Sequence, residues 1–332
     1  MQDLFIQYLK TKVKDNTSFA EEIASVLDIG YDAAYRRINQ KTSISLEEGV
    51  KLAKHYNISL NRLYEVGSQN TILTELSPRI NNVEGLEEWL KQSLINLEPL
   101  TKIKKATLIY AAKDIPIFHS LTDTHLTRFK MFVWIKDVDL NLTTSKVNYE
   151  NFIEALPKSL LNAAYLLGNV YKNINITEIW SENTMTGSFQ QVLYYYEAGL
   201  LSKENALKIC NDFEDVINHT EKQTILQSHI GSNNKAAYSL YKSELHPLNN
   251  TLMVVTPFKK IFFSPYTVLN YFKVEHQETC EHIYDFLQKQ MSNSKLLANT
   301  GERDRSVFFK KLHIKLGLLR ERIEIDEKMS FL

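Results

Sequence analysis

Between Tyr31 and Thr42 the chain gathers side chains whose hydrogen-bonding patterns match the edges of nucleic-acid bases. Arg36 and Arg37 carry guanidinium forks that fit the two acceptors of guanine. Asn39 and Gln40 carry amides that fit the donor–acceptor pair of adenine. Lys41 and Thr42 add groups that hold phosphate, and Tyr31 and Asp32 open the stretch. An Arg-Arg pair on a short helix is by default a solvated face, so the weight of this cluster depends on what positions it.

Three further clusters carry reactive atoms. In HQETCEH, His276 and Cys280 are four residues apart and share a helix face, with His282 two beyond. Zinc sites show tighter paired spacing and need a fourth ligand, so a surface histidine over a half-buried cysteine is the simpler reading, and no metal is expected. Tyr194, Tyr195 and Tyr196 point in three directions if helical, which favours core packing over a ligand pocket. Gly301 to Ser306 precedes a helix whose first amides suit an anion, with Arg303 and Arg305 at hand; a cap with surface ion pairs explains the same residues. The chain has no GxGxxG, no Walker lysine loop, no GxSxG and no HExxH. No catalytic residue or cofactor is therefore assigned, and the chain is not expected to be an enzyme.

The elements that position the first cluster lie between Ser18 and Tyr64. Ser18 with Glu21, and Ser45 with Glu48, fit the capping box at two helix starts. Between them lie a short helix, a turn at Asp28-Ile29-Gly30 and a second short helix from about Tyr31 to Gln40. Ile23, Ala24 and Leu27 can face Tyr35 and Ile38, with Ala24, Ala33 and Ala34 letting the axes cross closely. This is the layout of a helix-turn-helix. The stretch resembles the lambda-repressor-like (Cro/CI, XRE-type) DNA-binding family. The likeness extends through a following helix, SLEEGVKLAKHY, to a closing turn where LAKHYNISLNRLY stands for the family's LAKxLGVSLDELF. It covers residues 1–66 and nothing beyond. Asp28 stands at the family's glycine position, and with Tyr35 as the buried residue the turn reads one residue longer. The resemblance implies a five-helix domain whose second motif helix enters the major groove of double-stranded DNA. The DNA-binding residues are then Tyr31, Asp32, Arg36, Arg37, Asn39, Gln40, Lys41 and Thr42.

Composition sets the remaining bounds. At 332 residues the chain suits two or three domains, and 44% hydrophobic residues allow a sizeable core. Formal net charge is zero, and residues 1–66 are neutral too, with nine Lys/Arg against nine Asp/Glu. Binding to DNA must then rest on a local patch; residues 31–42 carry a net of +2. The opening MQDLFIQYLKTKVKDN reads as an amphipathic helix with Leu4, Phe5, Tyr8, Leu9 and Val13 on one side, not a signal peptide. No apolar run approaches the ~20 residues that span a membrane. The two cysteines, Cys210 and Cys280, form no CxxC. A cytoplasmic protein with reduced thiols is expected.

Beyond a linker at 67–82, helical spacing marks 84–97, 125–138, 147–156, 158–171 and a helix from Ser181 to Glu197. The longest helical pattern runs from Ser202 to His229, with Ala206, Ile209, Cys210, Phe213, Val216, Ile217 and Thr220 in one stripe. LMVVT and IFFS read as a hairpin, and helices follow at about 267–290 and 304–324. The expected fold is mainly α: a helix-turn-helix domain over 1–66, then a larger, mostly helical domain over 83–332 with a few short strands. The expected function is sequence-specific transcription regulation. Residues 83–332 sense an effector, small molecule or peptide, or form a homodimer, for which the Ser202–His229 stripe is the candidate. The alternatives are a helical peptide-binding sensor, against which the missing 34-residue period counts, and an enzyme with a DNA-binding head.

Overall fold

The structure is a computed structural model that describes residues 1–13, 18–64, 71–144, 147–244, 248–298 and 301–329. Two compact units divide it, Met1–Leu73 and Thr74–Leu332.

The first unit is helical: α1 (Gln2–Lys10), α2 (Phe19–Leu27), α3 (Tyr31–Ile38), α4 (Leu46–His55) and α5 (Leu60–Tyr64). They close on one apolar cluster around Leu9, Ile23, Ala34 and Leu52. The capping box at Ser45 forms, its hydroxyl accepting from the Glu48 amide at 3.2 Å and the Glu48 carboxylate from the Ser45 amide at 2.9 Å. Ser18 caps α2 without a side-chain bond. The turn is left-handed at Asp28, φ 56°, a conformation that Asp tolerates. Gly30 caps α3 in extended backbone, where its missing side chain is not required.

Two sequence expectations about registers change here. Tyr35 does not face inward: it is 49% exposed, and Ala34 is the fully buried residue of α3. Where α2 and α3 cross, a methyl group fits and a phenol ring does not, so the turn needs no extra residue. In α1 the buried residues are Phe5, Ile6 and Leu9, while Leu4 and Tyr8 are exposed.

The chain is mainly α-helical, as expected, and the second unit mixes helices with short strands that join in a single sheet. Its helices are α6 (Val83–Leu97), α7 (His125–Val138), α8 (Leu140–Thr144), α9 (Tyr149–Glu154), α10 (Lys158–Tyr171), α11 (Thr186–Glu197), α12 (Lys203–Leu226), α13 (Gln277–Ser292) and α14 (Glu302–Met329). Its strands are β1 (Glu75–Leu76), β2 (Thr107–Ala111), β3 (Asn175–Trp180), β4 (Tyr238–Lys242), β5 (Thr251–Val255), β6 (Lys260–Pro265), β7 (Tyr271–Val274) and β8 (Lys295–Leu296). They form one eight-stranded sheet in the order β1-β7-β6-β5-β2-β3-β4-β8. The centre, β2-β3-β4, is parallel, and every other pairing is antiparallel. The expected hairpin is β5–β6, closing at Val255 opposite Lys260.

Side-chain alternation along β2 and β3 divides the core. Leu108, Tyr110, Ile176 and Trp180 join the large cluster with α6, α7, α10, α11, α12 and α14. Ile109, Ala111 and Ile179 join a smaller one with Cys280, Leu287 and Met291 of α13. The stripe on α12 is spent inside the first cluster: Ala206, Ile209, Cys210, Phe213 and Ile217 are buried against this unit's own helices and are not open to a second copy. No described helix is long and apolar enough to cross a membrane.

Residues 74–82, within the stretch read as a linker, belong to this unit. Glu75 and Leu76 pair with Lys273 and Phe272, the Ser77 amide donates to the Tyr271 carbonyl at 3.0 Å, and Ile80 is buried in the large cluster. A fragment starting at Thr74 should therefore melt higher than one starting at Val83. Burial of Ile80 alone is worth about 1.5–3 kcal/mol. Equal denaturation midpoints for the two fragments would contradict this placement.

Candidate functional site

The residues singled out by sequence lie on and after α3, and the structure gives them different partners. Tyr31 and Tyr35 are both exposed and stack, ring centroids 6.3 Å apart and planes 18° from parallel. Asp32 and Arg36 are exposed beside them, and neither has an ion pair among the described residues. Arg37 turns the other way. Its Nη2 lies 2.7 Å from Glu48 Oε1 and its Nε 3.1 Å from Oε2, while Nη1 donates to the Ala33 carbonyl at 3.2 Å. The Arg37 guanidinium holds the Glu48 carboxyl below its ordinary range. Asn39 donates to the Tyr35 carbonyl at 2.9 Å, and Gln40 to Asp3 at 2.9 Å. Lys41 and Thr42 are exposed.

Around this helix the fold builds a clamp. Gln2 of α1 donates to the carbonyls of Arg37 (2.9 Å) and Thr42 (3.1 Å) and accepts from the Ile44 amide at 3.1 Å. Glu48 caps α4 and grips Arg37 with the same carboxylate. The exit of α3 is thus fixed to α1 and its inner flank to α4. One outward strip remains, made of Tyr31, Asp32, Tyr35, Arg36 and Asn39. With Arg37 cancelled by Glu48, Arg36 and Lys41 against Asp32 leave a net charge of +1 over residues 31–42.

The other sequence clusters have structural duties. His276 Nδ1 accepts from the Thr279 amide at the start of α13, the Cys280 thiol donates to the Val274 carbonyl at 3.3 Å, and His282 is exposed. No group of three or more metal-binding side chains occurs among the described residues. Tyr195 is buried against Phe129 and Phe132, Tyr196 donates to the Ile323 carbonyl, and Tyr194 is exposed. Arg305 donates to the Ala298 carbonyl at 2.7 Å and is buried.

A cluster that sequence reading missed sits at the centre of the sheet. Glu178 of β3 is fully buried. Its Oε1 accepts from Tyr171 (2.6 Å) and faces His119 Nε2 (2.9 Å); its Oε2 accepts from Tyr238 (2.7 Å) and faces the same nitrogen at 3.0 Å. Burial alone would raise the Glu178 pKa. His119 and the two phenols outweigh it and hold the carboxyl below its ordinary range. The one signal in the sequence is the alternation Ile176-Glu178-Trp180, which puts a carboxylate on the face of two large apolar residues.

Beside this cluster lies a cavity of about 220 Å³ lined by His119, Tyr171, Asp212, His219, Gln223 and His229 among others. Gln223 Oε1 accepts from the Ile230 amide at 3.2 Å, which fixes its orientation, and it faces His229 Nδ1 at 3.0 Å. His229 therefore donates through Nδ1 and carries a lone pair on Nε2, an atom with no hydrogen-bond partner among the described residues. Burial drives the His229 pKa down to about 4 and also lowers that of His219. His229 borders the cavity with Nε2 itself buried, and the Glu178 oxygens are already occupied.

A second, largely buried cluster joins the loop after β2 to α7 and α11. The Lys130 ammonium donates to Ser188 Oγ and lies 3.3 Å from Asp114 Oδ2, and Ser188 donates to Asp114 at 2.7 Å. Burial pushes Asp114 up, but Lys130 and Ser188 more than offset it. Ser188 is fully buried, its hydroxyl held between Lys130 and Asp114.

His229 makes acid sensitivity testable. A histidine held neutral in the fold binds a proton only when unfolded, so stability falls as pH drops from about 6.5 to about 4. One proton contributes up to ~1.4 kcal/mol per pH unit across that window. Replacing His229 with Gln should flatten urea-derived stability between those pH values, and His219→Gln should do so in part. An unchanged slope in both would mean that neither ring is held neutral. No protein-family model, curated protein or solved structure matches this chain, so its function is argued from these residues.

Proposed function

We propose that the chain is a sequence-specific DNA-binding transcription regulator of the lambda-repressor-like helix-turn-helix type, with α3 as the helix that enters the major groove. The observation that carries this reading is the clamped α3: Gln2 and Glu48 fix its exit and inner flank, and its outer strip is aromatic, amide and guanidinium. Pre-set orientation is what direct readout needs, because base contacts depend on side chains reaching donor and acceptor positions without reorganisation. Arg36 is the base- or phosphate-contacting arginine, and Arg37 is the positioning one. Tyr31 and Tyr35 offer ring faces to thymine methyl groups and hydroxyls to phosphate, while Lys41 and Thr42 hold the backbone. Asn39 and Gln40 complete the strip.

A net charge of +1 on this patch implies weak non-specific attraction. A single copy covers one half-site, so the reading includes a homodimer formed through Thr74–Leu332 on half-sites ~34 Å apart. With the α12 stripe buried, the face for the second copy is on α14. Val307, Ile314, Leu318 and Ile325 are 44%, 53%, 60% and 48% exposed and lie along one side of that helix. The effector-sensing role is assigned to the same unit.

Two measurements test this. Selection of bound sequences from a random DNA pool should enrich a two-fold repeat. On that site Arg36→Ala should cost ~1–3 kcal/mol with an unchanged melting temperature. Arg37→Ala should lower both affinity and melting temperature, since it strands the Glu48 carboxylate. Full operator affinity in Arg36→Ala would remove α3 from the reading. In the second, full-length protein sediments as a dimer and Ile314→Glu with Leu318→Glu sediments as a monomer. A wild-type monomer at micromolar concentration, or a doubly substituted dimer, would remove α14 as the interface.

A further inference from the structure

The second unit holds a larger cavity, of about 680 Å³, on the helical side of the sheet at the end away from the Glu178 cluster's strands. There α6 and the 3-10 turn Glu98–Lys102 lean over the inward faces of β5 and β6 without closing on them. Leu252, Val254, Ile261 and Phe263 form the sheet wall, and Trp89 and Leu100 form the opposite one. Protein interiors normally pack such side chains to crystal density. Leu252 and Phe263 instead remain partly exposed within a concave, mainly apolar space whose volume falls in the ~300–1,000 Å³ range of small-molecule sites.

Charge narrows the occupant. Among the lining residues the ionisable groups of opposite sign are matched. Lys259 lies 3.3 Å from Glu275, and Lys273 lies 2.9 Å from Glu75 and 3.3 Å from Glu275. Two ammonium groups against two carboxylates leave no formal charge for an ionic ligand to neutralise, and a buried ionic head would have to break one of these pairs. Gln92, Ser93 and Asn96 place uncharged donors and acceptors along the α6 wall. Phe258, at the β5–β6 turn, also borders the cavity and is 85% exposed. An apolar ring left in water at the edge of an apolar cavity is an element that an occupant would cover.

We propose that this cavity is a binding site for an uncharged, mainly apolar small molecule carrying one or a few hydroxyl or carbonyl groups, and that Phe258 closes over it. The site names the class of effector for the regulator described above, but its geometry lies wholly within Thr74–Leu332 and owes nothing to α3.

The test uses the full chain and two fluorophores with the same ring skeleton: neutral N-phenyl-1-naphthylamine and its sulfonated counterpart, 8-anilinonaphthalene-1-sulfonate. The neutral dye should bind saturably at one per chain and raise the melting temperature, and the sulfonate should bind roughly tenfold more weakly or worse, since its charge has no partner inside. Ser93→Trp, which fills the space beside α6, should abolish binding. Phe258→Ala changes an exposed side chain, so the fold is kept, and it should weaken the neutral dye several-fold. Non-saturating uptake, equal binding of both dyes, or unaltered binding in Phe258→Ala would each overturn the proposal. None of these readouts involves DNA, so a failed operator test and a failed dye test are separate results.

Discussion

The second unit is organised around a carboxylate that has been taken entirely out of water. Burying an ionised glutamate costs several kcal/mol unless its oxygens are filled, and Glu178 has them filled from three separate elements, two of them distant in sequence. His119 comes from the 3-10 turn Ile117–Ser120, Tyr171 from the end of α10 and Tyr238 from β4. The parallel β2–β3–β4 centre is thereby tied at one point to its own crossover segment and to the next strand. Removing any one partner leaves a charge in the core, so the three elements hold position together. The tie also reaches beyond polar contacts. Phe118, next to His119, stacks on Tyr171 with centroids 4.0 Å apart, and it lines both the smaller cavity and the larger one. One turn therefore borders both spaces.

In the first unit a second glutamate plays the comparable part at the surface. Glu48 closes the capping box of α4 and grips Arg37 of α3, so one side chain fixes both the start of one helix and its angle to another. The consequence is a division of labour between adjacent arginines. Arg37 is consumed by the fold and Arg36 is left outside. A sequence containing Arg-Arg gives no sign of which is which; only the partner eleven residues on decides it.

Helices with apolar residues recurring at one face were legible, and 84–97 and the run after Ser202 stand close to their observed spans; 125–138 does so too, although α7 is buried nearly all round. The strands β3, β4 and β7 were not. Asn-Ile-Thr-Glu-Ile-Trp lies in the middle of the sheet with both faces covered, so alternation is replaced by a mixture that contains a buried Glu. Tyr271–Val274 is four residues long and reads equally well as the start of a helix. The register of α3 was misread for a different reason. Tyr35 is the larger apolar residue, but close helix crossing selects the smaller one, and Ala34 takes the buried place. The strip bearing Tyr31, Arg36 and Asn39 was legible because exposure of polar residues on a short helix is a local property. The Glu178 cluster was not, because His119 and Tyr238 reach Glu178 only across long sequence separations.

The last helix carries a constraint of its own. Phe308, Leu312, Leu316 and Ile323 bury one side of α14 against α11 and α12. Val307, Ile314, Leu318 and Ile325 put a second apolar stripe on the opposite side, where they stay exposed. A helix apolar on both sides is ordinarily enclosed on both. The second stripe brings no packing to this unit and exposes apolar area to water, which makes it a cost for an isolated chain. A two-fold contact removes that cost by matching the stripe with itself, since an isologous interface needs only one surface to be self-complementary. In the regulator proposed above, the same symmetry would let two weakly charged α3 helices share an operator. The apolar stripe on α14 and the low charge on α3 would then serve one two-fold assembly.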